Sequence, residues 1–477
     1  MMSRRPRTPV PLLLVAVFGL LLIGESWGAS GAVGATAHRD TTGAALPETT
    51  FPSGAALVHG VAAGPSVPIT MPPAGLSLEY SVMAHDLGTG ACPPPALVAE
   101  LLRLGSPPLS LAGASQDLTA PAGALTGMSS SWEGATLYSL PADFWSQLHC
   151  LLSAAGDPLT VGINLKTGEL SWAAQMVAGA RGAATNGLDF SLGNEPDRYL
   201  LPDYSSLDKP QPNEEALAVG LYLQLATAMQ QELGGAPLIG PELSSPEHWR
   251  GQLPRVIAQL HEQTVGVHVY PLTTCLSPRA VTVGGLLSSS AADEPSRLAW
   301  VVADADAADV PAIISEANSA SCGGKAGVSD SPAAAVWAVR FVLSALKSGF
   351  REVRFHFSGD PYDPFIVSGD QIVARPLESA LVALNQWFPV GASLRTVGGV
   401  RGLLTTAVSG SASGVRLILD NERPLAQQVL LHTRQSVRTE MLSAAGAGLR
   451  THTFSPTHGR VKLTVAQNSV VAVLSGP

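Results

Sequence analysis

The chain has 477 residues and a formal net charge of −9; hydrophobic residues make up 46% of it and charged residues 14%. This composition can fill a large buried core, which excludes an intrinsically disordered chain. The acidic balance argues against binding of nucleic acid over the whole surface. The length suggests two or three domains, although one α/β barrel can occupy more than half of such a chain.

The N-terminus has the layout of a secretory signal peptide. Three arginines within the first seven residues precede a short apolar run over 11–23, and small residues follow it. The run is short for a membrane span, so we expect residues 1–30 to be a signal peptide, with an uncleaved signal anchor as the alternative. Residues 31–52, rich in Ala, Gly and Thr, are expected to form a flexible leader. These features predict a secreted or extracytoplasmic protein with no other membrane association.

Short apolar segments alternate with helical patterns over residues 74–390. The expected strands are 76–81, 109–112, 159–165, 188–192, 237–240, 265–270, 312–315 and 352–357. The expected helices are 96–104, 144–155, 172–181, 214–232, 249–263, 298–307, 333–347 and 377–387. Continuous apolar strands are typical of parallel sheets buried on both faces, so the order predicts an α/β fold, a (β/α)8 TIM barrel. A doubly wound open sheet is the alternative, but no Gly-rich phosphate motif follows the first strand.

A different pattern begins after the barrel. Residues 391–477 contain short β-rich segments separated by turns of Gly, Asn and Pro, at 415–419, 428–432, 461–466 and 470–474. This pattern predicts a small C-terminal antiparallel β-sandwich. Residues 53–73 are strand-like and interrupted by prolines, and we expect them to add an N-terminal strand to that sandwich.

Two ends of the predicted barrel strands carry a glutamate. Glu195 follows the fourth strand within the segment Gly193–Asp197, and Glu316 closes the seventh. Active sites of these barrels lie at the carboxyl ends of the strands. Cleavage of a glycosidic bond needs two such carboxyl groups, one protonated and one ionised. A single strand-end glutamate is more often a solvated or salt-bridged residue, but the matched pair predicts that both glutamates are catalytic.

Further segments carry a family resemblance, and together they cover nearly all of the mature chain. They are Gly75–Ser81, Ser115–Asp117, Gly162–Leu165, Leu192–Asp197, His268–Pro271, Ser315–Ser319 and Gly323–Asp330. These motifs resemble glycoside hydrolase family 79, the family of heparanase and the microbial β-glucuronidases. The resemblance implies a retaining mechanism, a β-sandwich that also takes the N-terminal strand, and no metal or organic cofactor.

The resemblance also implies roles for individual residues. Glu195 matches the acid/base and Glu316 the nucleophile of the wider clan of retaining barrel glycosidases. Asn194 is expected to reach a sugar hydroxyl, and Tyr270 to donate a hydrogen bond that keeps Glu316 ionised. Tyr270 could instead be a half-buried structural residue. His268 either lines the site or is a satisfied core histidine.

The remaining expected substrate-binding residues follow the second and seventh strands: Asp117, Gly323, Gly324 and Lys325. Among them, Lys325 could supply positive charge to an anionic sugar. Cys275 and Cys322 lie in loops after neighbouring strands six and seven, so we expect a disulfide bond between them. Cys92 and Cys150 could pair or stay as buried thiols, since four cysteines allow three pairings. The absence of any CxxC motif argues against a zinc site.

The chain also departs from the family pattern. The usual Arg-x-Gly-Gly-Asn-Ser motif after the second strand is replaced by the segment Ser110–Ser115, with Ser110 and Ala114 at the Arg and Asn positions. Ser321 stands where the glucuronidases have a tyrosine that contacts the sugar carboxylate. The resemblance therefore predicts the cleavage chemistry more firmly than recognition of a uronic acid.

These observations predict a secreted, exo-acting retaining β-glycosidase that binds a carbohydrate and releases a terminal uronic acid or related sugar. One alternative is an endo-acting enzyme similar to heparanase or a hyaluronidase. Another is a carbohydrate-binding barrel that no longer turns over its ligand. The sequence predicts no nucleic-acid partner.

Overall fold

The computed structural model describes residues 65–125, 131–132, 135–200, 212–275, 277–397, 403–410 and 414–475. They belong to one compact unit, Leu46–Pro477. The predicted signal peptide and leader, and residues 53–64 of the predicted N-terminal strand, lie outside the described residues. Within the described residues, no helix is both long enough and apolar enough to cross a membrane.

Eight parallel strands close into a barrel in chain order, and the last strand pairs with the first. They are β1 Ala74–Glu79, β2 Leu109–Ala112, β3 Leu159–Ile163, β4 Leu188–Leu192, β5 Leu238–Leu243, β6 Thr264–Val269, β7 Ala312–Ala317 and β8 Val353–Phe357. Most of their residues are buried because helices cover the outer face while side chains fill the interior. The barrel with its C-terminal antiparallel sheets confirms the predicted fold class.

The helices that connect the strands contribute apolar faces to one continuous core. They are α1 Tyr80–Leu87, α2 Pro95–Arg103, α3 Phe144–Ala155, α4 Leu170–Ala183, α5 Pro212–Leu233, α6 Leu253–Leu260, α7 Val283–Leu286, α8 Ser289–Ala292, α9 Ala299–Ala307, α10 Pro332–Lys347 and α11 Pro376–Trp387. Helix α6 is shorter than the expected 249–263 because Pro254 occupies its first turn, a position that proline tolerates.

The C-terminal region has seven-stranded and two-stranded antiparallel sheets that share an apolar core. Its strands are β9 Ser393–Val397, β10 Leu403–Ser409, β11 Val415–Asn421, β12 Gln427–His432, β13 Val437–Ser443, β14 Gly446–Phe454, β15 Arg460–Val465 and β16 Ser469–Ser475. Strand β15 shows strict alternation of exposed and buried residues, as expected where one face meets the core. The short strand Val67–Pro68, preceding the barrel, pairs antiparallel with β9 at the edge of the larger sheet.

Three short strand pairings and a disulfide bond complete this description. Outside the barrel, Phe365–Ser368 forms a hairpin with Gln371–Ala374. Thr119–Ala120 pairs with Tyr138–Ser139, and Ser131–Trp132 with Ala135–Thr136. A disulfide bond between Cys92 and Cys150 links the segment before α2 to α3.

Candidate active site

The two glutamates singled out by the sequence meet at the carboxyl end of the barrel. One oxygen of Glu195, one oxygen of Glu316 and one ring nitrogen of His268 all lie within 4.8 Å of one another. Glu316 belongs to β7, and Glu195 follows β4 by three residues. Both side chains are largely shielded from solvent, at 16% exposure for Glu195 and 7% for Glu316. The barrel therefore places two carboxyl groups close enough to act on one bond.

A tight turn after β4 directs Glu195 toward the barrel mouth. Gly193 has a φ of 76°, in the left-handed region of the backbone, and a Cβ there would lie 2.2 Å from the Tyr199 hydroxyl. Only glycine fits such a position. Glu195 itself has a φ of 49°, and its backbone N–H donates to the Glu242 carbonyl over 3.1 Å. The turn is thus fixed by β5 as well as by its own sequence.

Tyr270 contacts the predicted nucleophile directly. Its hydroxyl donates a 2.7 Å hydrogen bond to Oε1 of Glu316. Burial raises the pKa of Tyr270 well above 10, and the nearby charge of Glu316 adds to the effect. The phenol therefore stays protonated and donates its hydrogen bond to the Glu316 carboxylate. The family resemblance predicts such a contact, and the role of Tyr270 in a reaction stays a prediction.

His268 is buried behind the two glutamates. Its Nδ1 lies 3.1 Å from Glu195 Oε1 and 3.8 Å from Glu316 Oε1, and its Nε2 lies 3.2 Å from Glu242 Oε2. Burial opposes protonation of the ring, but these carboxylates, Glu316 foremost, outweigh it and raise the pKa of His268 well above 6.5. The structure thus shows a buried histidine whose ring lies against both Glu195 and Glu316.

Glu79 and His356 also belong to the site, although the sequence assigned them no role. His356 Nδ1 lies 3.3 Å from Glu316 Oε2, and its Nε2 lies 3.4 Å from Glu79 Oε1. Burial lowers the pKa of His356, but the charges of both carboxylates prevail and raise it to about 9. Both residues lie at carboxyl ends of barrel strands, the same signal that identified the glutamate pair.

Glu79 is held by the segment that departs from the family pattern. Its carboxylate accepts hydrogen bonds from the backbone N–H of Ala114 at 3.0 Å and of Ser115 at 2.6 Å. Although burial raises the pKa of Glu79, the hydrogen bond from His356 and these contacts lower it overall. Gly113 leaves room for this arrangement, because a Cβ there would lie 2.5 Å from Glu79 Oε1. Glu79 is therefore a fixed carboxylate acceptor in the site.

An open cleft of about 510 Å³ lies over these groups. Five of the residues expected to act on or bind substrate line it: Asn194, Glu195, Tyr270, Glu316 and Gly323. Glu79, Ala114, Arg198, His356, Asp360 and Tyr362 are among its other lining residues. Most of the lining residues have polar side chains, and carboxyl groups outnumber cationic groups among them.

Four expected binding residues do not line the cleft. The ammonium group of Lys325 donates a 2.6 Å hydrogen bond to the Val281 carbonyl, and Lys325 does not line the cleft. A Cβ on Gly324 would lie 2.7 Å from the ring of Tyr362, so this glycine permits close packing of the cleft wall. His268 is buried behind the two glutamates.

Asp117, the fourth of these residues, is buried beneath the turn after β4. Its carboxylate accepts from the backbone N–H of Asn194 at 3.0 Å and of Leu165 at 3.1 Å, and from the Tyr199 hydroxyl at 2.6 Å. These bonds occupy its acceptor positions and leave the carboxylate facing the protein. Asp117 therefore supports the turn that carries Asn194 and Glu195, which differs from the expected contact with the sugar.

The rim of the cleft is closed on one side by the loops after β6 and β7. A disulfide bond joins Cys275 to Cys322. Next to it, the Ser321 hydroxyl donates to Thr273 Oγ1 over 2.8 Å, and the Thr274 hydroxyl donates to the Ser321 carbonyl over 3.0 Å. Ser321, at the tyrosine position of the glucuronidases, is therefore engaged with the neighbouring loop.

Asp360 forms part of the wall that follows β8. The Ser358 hydroxyl donates to its Oδ2 over 2.6 Å, and a Cβ on Gly323 would lie 3.1 Å from its Oδ1. Within the described residues, no Lys, Arg or His nitrogen lies within 4.0 Å of the Asp360 carboxylate. The Arg375 guanidinium donates to the Asp360 backbone carbonyl, so the Asp360 carboxylate borders the cleft without an ion-pair partner in the described residues.

Glu195, His268 and Glu316 also meet the distance condition for a three-ligand metal site. A histidine ligand must present a free ring nitrogen to the metal. Nδ1 of His268 faces Glu195 and Glu316, and its Nε2 faces Glu242, so these residues form a hydrogen-bonded acid–base cluster.

The fold is similar to that of several solved glycosidases. The crystal structure of a 4-O-α-L-rhamnosyl-β-D-glucuronidase from Fusarium oxysporum 12S aligns with 87% of this chain and 99% of its own, at a TM-score of 0.66 and 18% identity. The GH51 arabinofuranosidase of Xanthomonas axonopodis pv. citri covers 87% of this chain and 97% of its own, at a TM-score of 0.60 and 12% identity.

A third similar structure is the GH30 endoxylanase of Clostridium papyrosolvens C71, which covers 86% of this chain and 98% of its own, at a TM-score of 0.53 and 11% identity. No protein-family model and no curated protein matches the sequence. At these identities the likeness establishes a shared barrel and sheet-domain fold. It does not by itself establish the family or the activity.

Proposed function

We propose that this protein is a secreted retaining glycosidase that hydrolyses its substrate by double displacement. The observation that carries the proposal is the closeness of two carboxyl groups at the barrel mouth, with oxygens of Glu195 and Glu316 within 4.8 Å. Retaining enzymes place their two carboxyl groups about 5–5.5 Å apart, whereas inverting enzymes leave about 6.5–9.5 Å for a water molecule. The short separation favours direct attack by one carboxylate.

In the first step, Glu195 donates its proton to the glycosidic oxygen as the bond to the anomeric carbon breaks. The Glu316 carboxylate attacks that carbon and forms a covalent glycosyl-enzyme, and the leaving group departs as an alcohol. In the second step, Glu195 takes a proton from water. The resulting hydroxide attacks the anomeric carbon, the bond to Glu316 breaks, and Glu195 is again protonated. Two inversions give net retention of configuration.

The neighbouring side chains support these roles. The Tyr270 hydroxyl stabilises the Glu316 carboxylate before attack and after release of the sugar. Asn194 lines the cleft beside Glu195, where its amide can bind a sugar hydroxyl. Glu79, held by two backbone N–H groups, offers a carboxylate acceptor for hydroxyl groups of the same sugar. Each contact would act at the reacting end of the substrate.

The resemblance to family 79 makes a terminal uronic acid, or a related sugar, the first candidate for the cleaved unit. The similar structure from Fusarium oxysporum is a rhamnosyl-glucuronidase, which agrees with that choice. We propose exo action, as the family resemblance suggests. We also propose an oxidising, extracytoplasmic compartment, which the two disulfide bonds support. The sugar can be identified by comparing aryl β-glucuronide, glucoside, galactoside and xyloside as substrates.

Glu316→Gln tests the proposal because it removes the nucleophile while keeping the size of the side chain. We expect kcat/KM to fall by at least about 10³-fold on the best aryl glycoside, since loss of a nucleophile removes the covalent route. Glu247→Gln is the matched control: Glu247 forms a surface ion pair with Arg250 and lies outside the cleft. It should retain wild-type activity.

The stereochemical course gives a second readout. NMR of the first-formed sugar should show the same anomeric configuration as the substrate. Full activity of Glu316→Gln, or an inverted first product, contradicts a retaining mechanism with this nucleophile. Glycan binding with neither hydrolysis nor a trapped covalent intermediate would instead favour the carbohydrate-binding alternative. Products released from inside a polysaccharide chain would favour endo action.

A further inference from the structure

Glu242 is a buried carboxylate that no step of the proposed mechanism uses. It is the fifth residue of β5 and is 5% exposed. Its φ of 56° places it in the left-handed region, which residues other than glycine adopt uncommonly. Such backbone conformations persist where surrounding contacts determine them, and they cluster at functional sites. The contacts of Glu242 therefore bear on its role.

Three neighbouring strand ends meet at Glu242. Its backbone carbonyl accepts from the N–H of Glu195, after β4, over 3.1 Å. Its Oε2 lies 3.2 Å from Nε2 of His268 on β6, and the same oxygen accepts a hydrogen bond from the hydroxyl of Ser315 on β7. Ser315 directly precedes Glu316 in the chain. One residue thus contacts the segments that carry both predicted catalytic glutamates.

The side chain of Glu242 also completes the surroundings of His268. The other ring nitrogen faces Glu195 at 3.1 Å and Glu316 at 3.8 Å. Carboxylates accept hydrogen bonds, so acceptors on both sides of the ring are satisfied when both nitrogens carry protons. This arrangement keeps His268 as an imidazolium between the two catalytic carboxyl groups.

Other titratable groups also act on His268. Asp197 follows Glu195 in the chain and interacts electrostatically with the ring, while the like charge of His356 on β8 opposes protonation of both histidines. Glu242 is the carboxylate at the Nε2 side, away from the cleft. It therefore biases His268 toward the charged form without occupying space that the substrate needs.

The geometry points to Glu242 as a positioning residue for the glycosidase reaction: its main chain fixes the acid/base Glu195, and its side chain holds His268 as the shared cation of both catalytic glutamates. This inference rests on the proposed function. Without the charge of Glu242, the imidazolium loses one of its counterions, so we expect the pKa of His268 to fall. At alkaline pH, the positive charge of His268 then no longer offsets the negative charges of Glu195 and Glu316.

Glu242→Gln tests this role, with Glu262→Gln as the control. Glu262 is a buried neighbour whose pKa is raised to about 8 by burial and by the charge of Glu242. Glutamine therefore replaces a group that is mostly neutral at pH 7. In Glu242→Gln we expect kcat/KM to fall by at least about tenfold, mainly through kcat, and its alkaline limb to move to lower pH. Glu262→Gln should change kcat/KM by less than about threefold.

A second measurement does not depend on turnover. In NMR titration of protein labelled in its histidine rings, with His268→Gln used to assign the signal, His268 should lose its proton at least about one pH unit earlier in Glu242→Gln than in wild type. Glu262→Gln should give a much smaller shift. This readout separates the inference from the proposed function, because inactive protein still reports the titration of His268.

Two results would overturn the inference: an unchanged His268 titration in folded Glu242→Gln, or a wild-type kcat and pH profile in an enzyme whose glycosidase activity has been demonstrated. If Glu242→Gln does not fold, as judged by circular dichroism, Glu242→Asp replaces it in both measurements. The shorter carboxylate keeps its charge but withdraws from His268, so an intermediate loss of kcat and an intermediate titration shift are expected. Wild-type values for Glu242→Asp would equally refute the role.

Discussion

The two ends of the barrel interior balance buried charge in different ways. Near the amino end, Arg354 forms a two-pronged ion pair with Glu352, at 2.9 and 3.2 Å, and its third nitrogen donates to Ser110 and Thr160. At the carboxyl end, two histidines lie among the carboxylates of Glu79, Glu195, Glu242 and Glu316. Both ends hide charge from water, but only the carboxyl end opens to the cleft.

The difference lies in whether the cation can titrate. A guanidinium remains charged at all accessible pH values, so the pair of Arg354 with Glu352 is a fixed structural contact. An imidazole can change its charge near neutral pH, so His268 and His356 respond to protonation of their carboxylate partners. The proposed reaction transfers protons at one end of the barrel, and that is the end where titratable cations are found.

Replacement of Arg354 by methionine breaks the amino-end arrangement. It leaves Glu352 buried at 1% exposure without its cation, and removal of one partner from a buried ion pair costs about 3–5 kcal/mol. We expect a loss of that size in the free energy of unfolding, measured by urea denaturation, with kcat/KM per folded molecule nearly unchanged. The control is Arg351→Met. Arg351 is half-buried, precedes β8 and has no carboxylate within 4.0 Å in the described residues. A variant as stable as Arg351→Met would show that the pair is dispensable.

At the carboxyl end, His356→Gln should reveal a pH-dependent contribution to stability. The pKa of His356 is about 9 in the folded protein, against an ordinary value of 6.5, because Glu316 and Glu79 outweigh burial. A raised pKa stabilises the fold fully below pH 6.5, and this contribution is lost as pH rises through 9. The contribution of His356 to the free energy of unfolding is at most about 3.5 kcal/mol, because the pKa difference is about 2.5 and each pKa unit corresponds to about 1.4 kcal/mol.

Urea unfolding at pH 6 and pH 9.5 measures this contribution. Wild type should lose more unfolding free energy between these values than His356→Gln does, because the variant lacks the titrating group. Other ionisable groups are common to both proteins and largely cancel in the difference. Parallel losses in the two proteins would mean that His356 is not held in its charged form.

The sequence predicted the barrel and its two glutamates because both leave local signals. Apolar runs marked all eight strands, and Glu195 and Glu316 stood at the ends of two of them. Four strands of the sheet domain were missed: β9, β10, β13 and β14. Their Ser, Thr, Arg and Gly residues give little hydrophobic contrast, and pairing with neighbouring strands determines their structure.

The network around the glutamates could not be predicted, since it depends on contacts between distant strands. The sequence showed that Ser110 stands at the family's arginine position, but not that Arg354 of β8 would bond to that serine. Likewise, Lys325 looked available for an anionic sugar, yet its ammonium group reaches the Val281 carbonyl. Side-chain direction in a closed barrel is set by register and packing, which spacing along the chain does not reveal.

The smallest expected effect concerns sugar selectivity at the open end. Asp360 places a carboxylate in the cleft wall, and no basic side chain of the described residues forms an ion pair with it, so a uronic acid bound nearby would meet a like charge. Asp360→Asn should therefore raise kcat/KM for an aryl β-glucuronide relative to the matching glucoside, by up to about tenfold, or about 1.4 kcal/mol. Asp370→Asn removes the same charge from the exposed turn of the nearby hairpin and should leave the ratio unchanged. Because Asp360 is partly exposed, added salt should shrink the difference. A ratio that falls in Asp360→Asn would instead show that this carboxylate assists recognition of the uronic acid.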